Sequence, residues 1–348
     1  MTIVLIFLFL LIIITARPTK FNENYLDKRY TNIIKGIFLI FVFISHFIAY
    51  NVTLQNNWVD SYGVKFIKQL GQLMVTLFLF YSGYGVMESV KKKGEDYIKS
   101  FPKKRILTTL INFDIAVIIY MFVSKYFQTH PFSIKYLLSS LIGWDTFGNS
   151  NWYIFAILCL YLVSYLSVKS FKNRKQRAIS ILIGTTLFTV IMQFYKDGYF
   201  YNTAYCFAFG AIFSLYKEEI EKWLNGKELL LAIYILILFL ISYKLKKYLG
   251  WYYIYTVAFT TLIVLITRKI SIKNLILEWV GKSLFPLYIF QRIPMMLLID
   301  KGYFNNNTYI LFAMCFVITI VITLVYNLIM FIKNKITKKF DQRYISNT

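Results

Sequence analysis

Lys35-Gly-Ile-Phe-Leu-Ile-Phe-Val-Phe-Ile-Ser-His46 reads as part of a membrane-spanning helix, yet it carries a lysine at one end and a histidine eleven residues on. At ~1.5 Å rise per residue the two side chains stand roughly 16 Å apart along the axis. Eleven steps of about 100° make three turns plus about 20°, so both lie on one face. A polar stripe at two depths of an apolar helix needs a cavity, a partner or a function.

Working outward, the 348 residues are 58% hydrophobic and 20% aromatic, and only 16% are charged, against about 25% in an ordinary soluble domain. Apolar runs of bilayer-spanning length recur from end to end. The expected fold class is an all-α polytopic membrane protein with no separate soluble domain. Residues Thr2 to Ala16 are apolar with no basic region before them, which favours an uncleaved first helix over a signal peptide. Further spans are expected near 31–50, 66–88, 105–126, 152–168, 178–194, 200–216, 229–244, 251–267, 284–299 and 309–333, about eleven in all. The domain plan is an extra N-terminal helix and short loop over 1–24, a membrane domain over 25–335 and a basic tail over 336–348.

The net charge of +23 invites a nucleic-acid reading, but the basic residues sit in short loops between apolar runs, where they set orientation. No nucleic-acid partner is expected. The stretches 17–35, 89–105, 169–177 and 333–343 are rich in Lys and Arg, whereas 51–63 has none and 300–307 only Lys301. Lys244, Lys246 and Lys247 fit this alternation poorly. The pattern predicts an N-terminus outside and a cytoplasmic C-terminus. Cys159, Cys206 and Cys315 all fall in apolar runs, as packed thiols would, with neither a disulfide framework nor a zinc spacing. No internal repeat is evident, unlike transporters built from inverted repeats.

Several residues are candidates for chemistry. His46 is either a satisfied packing residue or a general base, since a neutral imidazole can take a proton from a hydroxyl. Lys35 is either an orientation charge or a contact to a phosphate-bearing donor. In Leu77-Phe-Leu-Phe-Tyr-Ser-Gly-Tyr-Gly85 the glycines point to close helix approach, with Ser82 able to hydrogen-bond across it. Lys103, Lys104 and Arg105 stand at the mouth of a span, where they fix topology, touch anionic lipid or bind phosphates. Asp114 lies about nine residues into that span, where insertion scales penalise a carboxylate by roughly 2.5–3.5 kcal/mol. Trp152 and Tyr153 open another span at interface depth, as an aromatic belt does. Gln291 and Arg292 lie well inside a span bracketed by Pro286 and Pro294, and Asp114 is a conceivable partner for Arg292.

Together these stretches resemble the acyltransferase-3 family of integral membrane acyltransferases. Lys35 and His46 match the family's basic residue, ten residues, then histidine, and Thr31-Asn-Ile-Ile-Lys-Gly-Ile is similar to a version common there. Phe78-Leu-Phe-Tyr-Ser-Gly-Tyr-Gly resembles its Ser-Gly segment, and Lys103-Lys-Arg105 its basic pair at the start of the third core helix. Asn151-Trp-Tyr and Gly281-Lys-Ser…Leu-Tyr-Ile-Phe resemble later landmarks, so the likeness covers roughly residues 25–335. Gln291 stands where a histidine often closes the last landmark, and Lys103 replaces one arginine of the pair.

The resemblance implies a ten-helix core and transfer of an acyl group, most often acetyl, from cytoplasmic acyl-coenzyme A to a hydroxyl of an extracytoplasmic or lipid-linked polysaccharide. It implies His46 as catalytic residue and Lys35, Lys103, Lys104 and Arg105 as donor-binding residues. Ser82, Asp114, Trp152, Gln291 and Arg292 are polar candidates for the cavity. Acetyl-CoA is then a co-substrate, with no bound cofactor and no metal expected. The partners are acyl-CoA, a carbohydrate and the lipid bilayer. The Lys-, Asn-, Ile- and Tyr-rich composition fits an AT-rich bacterial genome and hence a bacterial cytoplasmic membrane. The rival from another class is a transporter or flippase of a polysaccharide intermediate or acyl donor, separable by replacing His46.

Overall fold

In the computed structural model, which describes residues 1–51, 58–248, 250–300 and 307–346, the chain is helical almost throughout. Helices α1 (Thr2–Thr15), α2 (Lys28–Tyr50), α3 (Trp58–Leu70) and α4 (Leu73–Phe101) are followed by a π-helical stretch, Pro102–Leu107, which continues into α5 (Thr108–Phe127). Then come α6 (Ile134–Leu141), α7 (Trp152–Ser170), α8 (Arg174–Tyr195), α9 (Ala204–Leu215), α10 (Lys217–Leu224), α11 (Glu228–Leu245) and α12 (Trp251–Lys269). The last four are α13 (Leu275–Lys282), α14 (Leu284–Phe290), α15 (Arg292–Asp300) and α16 (Thr308–Ser346). The backbone of α16 runs into the expected basic tail, whose side chains from 336 onward lie outside the described residues, as do residues 347–348 entirely.

Among the described residues, seven helical stretches are long and apolar enough to cross a membrane. One is the continuous run Asp60–Phe127, interrupted at Gly71 and Gly94, both with positive φ. Helix α1 and the α14–α15 pair are apolar but shorter, below the ~20 residues that a straight span needs. The apolar side chains of α8, α11 and α16 face outward: Leu229 is 77% exposed and Val317 54%. This outer surface would be unstable in water and suits hydrocarbon. The fold is a multi-pass helical bundle.

The all-α expectation needs one amendment. Ala16–Pro18 and Ile270–Ile272 pair as a small antiparallel ribbon, β1 with β2. Backbone bonds from Thr19 to the Lys269 carbonyl and from Asn22 to that of Arg268 extend it. Strands of three residues leave no periodicity to read in a sequence. At its other end α1 is fastened by its Met1 amino group, which pairs with buried Asp60, while the Tyr309 hydroxyl donates to the same carboxylate at 2.8 Å. The first helix is thus tied to the bundle at both ends.

Helix α2 is the most deeply enclosed of the long helices, with α13 and α4 against it. Glycines allow that closeness. A Cβ on Gly281 would stand 1.8 Å from the Asn32 carbonyl oxygen, and one on Gly36 would stand 2.1 Å from that of Leu277. The same device joins α4 to α9, where Gly83 meets the Phe207 carbonyl and Gly210 that of Phe80. The second glycine of the expected pair behaves differently, since a Cβ on Gly85 would meet nothing within 4 Å.

Among the described residues, the basic loops 17–35, 89–105 and 169–177 meet the α9–α10 junction at one end of the bundle. There Lys91 reaches the Ser214 carbonyl, Arg174 pairs with Glu219, and the Tyr25 hydroxyl donates to Glu221. Lys246 and Lys247, which fit the charge alternation poorly, lie over the rings of Tyr243 and Tyr248 at 4.3 and 5.0 Å. Their charge is accommodated by aromatic faces rather than by a basic cluster.

Candidate functional site

The site is built on α2. Most of its side chains between Tyr30 and Ile48 are buried, but Lys35 and His46 keep accessible surface although both lie deep among other atoms. Both are thus only partly covered by their neighbours. The Gly36 contact holds this helix against α13 one residue from Lys35.

At the basic end, Lys35 lies within the field of Lys28 and Arg105. Arg105 is delivered there by two local features. Gly94 breaks α4 with φ 54° and ψ −134°, a conformation open almost only to glycine. The π-helical stretch then adds a residue to the turn, a distortion common at functional positions. The Arg105 Nε donates to the Tyr97 hydroxyl at 2.9 Å, and its guanidinium lies 5.9 Å from the Tyr161 ring centre. Lys103 and Lys104 are exposed. The expected basic triplet thus divides into one positioned arginine and two solvated lysines.

Toward the other end, the His46 ring stands 6.3 Å from that of Tyr288 and lies in the field of Arg292. The His46 Nδ1 is buried without a hydrogen-bond partner. Arg292 begins α15, donates from Nη1 to the Gly148 carbonyl at 3.1 Å, and lies 5.7 Å over the Tyr50 ring. Its Nε is buried and unpartnered. Gln291, fully buried at the break between α14 and α15, donates to the Tyr288 carbonyl at 2.8 Å and leaves Oε1 unpartnered. Tyr120 fixes the adjacent turn by donating to the Ile289 carbonyl at 2.8 Å. Tyr153 packs on Tyr288 at 5.5 Å and faces Ser82, while Trp152 packs on Tyr153 at 6.1 Å. Buried polar atoms of His46, Gln291 and Arg292 left without partners inside an apolar bundle are costly unless a substrate satisfies them.

The model of an acyltransferase domain matches residues 28–327 of the chain, which contain every residue just described. The chain belongs to the acyltransferase-3 family. It is a membrane acyltransferase. No curated protein and no solved structure matches it. The acyltransferase domain begins with α2, so α1 and β1 precede it, and it ends within α16.

The structure puts Lys35 in the field of Arg105 and His46 in that of Arg292 and near Tyr288, which Gln291 and Tyr153 contact, with Ser82 and Trp152 beside Tyr153. It does not join Asp114 to Arg292. Asp114 is partly buried on α5 with one carboxylate oxygen unpartnered, and the Arg292 guanidinium is taken up by Gly148 and Tyr50. Tyr97, Tyr161 and Tyr120 were not separable in the sequence, because 29 tyrosines spread through the chain hide the few near these residues, whereas Tyr153 was marked beside Trp152 at the start of its span. Tyr288 had one signal, its place within the Gly281-to-Pro294 stretch.

Proposed function

We propose that the chain transfers an acyl group, most often acetyl, from cytoplasmic acyl-CoA to a hydroxyl of an extracytoplasmic or lipid-linked polysaccharide. The observation that carries this reading is the division of one face of α2: Lys35 beside Arg105 at the basic end, His46 beside Arg292 further along. Arg105 and Lys35 take the donor phosphates, with Lys103 and Lys104 drawing the anion to the mouth. In this reading the acyl thioester reaches toward His46 along the same face of α2.

His46 takes the proton of the acceptor hydroxyl as its oxygen attacks the thioester carbonyl carbon. Arg292 faces the oxygen that becomes negative and donates to it through the N–H groups its own fold leaves free. Collapse of the tetrahedral intermediate breaks the carbon–sulfur bond, and the CoA thiolate leaves and is protonated by the imidazolium. The products are the ester and free CoA, and the imidazole is neutral again.

In this reading the chain crosses a bacterial cytoplasmic membrane about eleven times, with the basic end cytoplasmic. The Met1 end of α1 lies outside, and α16 ends inside. The position of Met1 beside Asp60 and Tyr309, away from the basic loops, supports that orientation.

The test is release of free CoA thiol by purified protein given acetyl-CoA and cell-surface glycan. Thiol release that requires both substrates supports the reading. Movement of glycan across vesicles without thiol release would replace it with transport.

A further inference from the structure

Beside the site lies an open basin of about 490 Å³ between the loop before α7 and the connection from α8 to α9. Trp144, Asp145, Gln193, Lys196, Asp197 and Tyr199 line it. Lys196 is committed: its Nζ donates to the Trp144 carbonyl at 2.7 Å and lies 4.1 Å over the Trp144 ring. That fixes the indole at the wall. Asp145 accepts from the Ser139 hydroxyl, which orients its carboxylate, while Asp197 is exposed. Tyr199 is 43% exposed.

A continuous aromatic wall joins this basin to His46. Tyr199 packs on Trp152 at 6.2 Å, Trp152 on Tyr153, Tyr153 on Tyr288, and Tyr288 on His46. The field of Arg292 also reaches Tyr199. Phe194, at 78% exposure, also lines this basin, but the indole within it is half-buried, held by Lys196 and set among polar neighbours, which interfacial belting does not require.

The chemistry is selective. Flat aromatic faces take the C–H faces of a pyranose, and carboxylates and an amide accept and donate to its hydroxyls. With one lysine already held and two carboxylates, the basin repels polyanions. We propose that it is a second saccharide subsite, holding a neutral sugar unit of the acceptor at a distance from the hydroxyl that reacts at His46. This inference rests on the acceptor being a glycan, as set out above.

The full chain in detergent is titrated with maltohexaose, with N-acetylchitotetraose and with polygalacturonate, following binding by calorimetry. Wild type and His46→Ala are expected to bind at least one of the two neutral oligomers alike and to leave polygalacturonate unbound. Asp197→Asn and Trp144→Ala are expected to weaken that binding at least tenfold. The conservative Asp197→Asn guards against misfolding of the tryptophan variant. Failure of wild type to bind either neutral oligomer, or unchanged binding by Asp197→Asn and Trp144→Ala, overturns the subsite. Persistent acylation by His46→Ala would overturn the catalytic reading and leave this binding result standing on its own.

Discussion

Lys35 and His46 share one face of α2, and each lies in the field of a different arginine, Arg105 for the lysine and Arg292 for the histidine. In the proposed reaction, two cationic groups at one depth would hold the donor and a base in the field of an arginine at another would make the new ester, dividing acyl transfer along a single helix.

Arg105 should matter more than its neighbours. It is oriented by Tyr97 and Tyr161, whereas Lys103 and Lys104 are exposed. A positioned charge-assisted hydrogen bond is worth roughly 1.5–3 kcal/mol, so Arg105→Ala should raise the KM for acetyl-CoA by about 10- to 100-fold. Lys103→Ala and Lys104→Ala should each change it by less than about threefold, more at low salt than at high. Steady-state kinetics with varied acetyl-CoA checks this, and equal effects at all three positions would speak against a positioned arginine.

Arg292 should act on turnover. Removing one donor to a developing oxyanion costs about 10²–10³ in rate, so Arg292→Gln should lower kcat by that order with little change in KM for the donor. A KM effect alone would place Arg292 in binding.

The two glycine classes give opposite expectations. Gly281→Ala puts a methyl group 1.8 Å from the Asn32 carbonyl oxygen, and backbone cannot step aside as a side chain can. Overpacking of this kind costs about 1–3 kcal/mol, so the melting temperature of the detergent-solubilised protein should fall clearly. Gly85→Ala meets nothing within 4 Å and should melt within about 0.5 kcal/mol of wild type. The reverse order would contradict the α2–α13 contact.

His130 gives a pH test outside the spans. Burial lowers its pKa, and its Nδ1 is shared with the Ser124 and Thr129 hydroxyls. The unfolded chain, with a histidine near about 6.5, then binds a proton that the folded chain resists. Stability at this position is full above the unfolded value and is lost as pH falls from there through the lowered folded one. Between about pH 7.5 and about pH 5.5, wild type should lose more thermal stability than His130→Gln. Parallel losses would remove His130 as the cause.

The family and the helical bundle were legible because they rest on long signals: apolar runs, alternating loop charge, and a lysine and histidine at helical spacing. Lys35 and His46 both sit on α2, partly accessible, while the expected triplet of Lys103, Lys104 and Arg105 divides. The α1 ribbon was not legible, since its pairing depends on Ala16–Pro18 meeting Ile270–Ile272 across most of the chain. The roles of the two Ser-Gly glycines were not either, because whether a glycine meets a carbonyl or open space is set by the neighbouring helix. Arg292 illustrates the same limit. Its depth was readable, but its partners are a backbone carbonyl and a ring, and Asp114 lies elsewhere.

The most direct test is acylation by His46→Ala, compared at equal protein in the membrane. Loss of a general base costs about 10²–10⁴ in rate, so CoA release dependent on glycan should fall by at least a hundredfold while acetyl-CoA still binds through the Arg105 end. Wild-type CoA release by a properly inserted His46→Ala protein would contradict the assignment of the chemistry to α2.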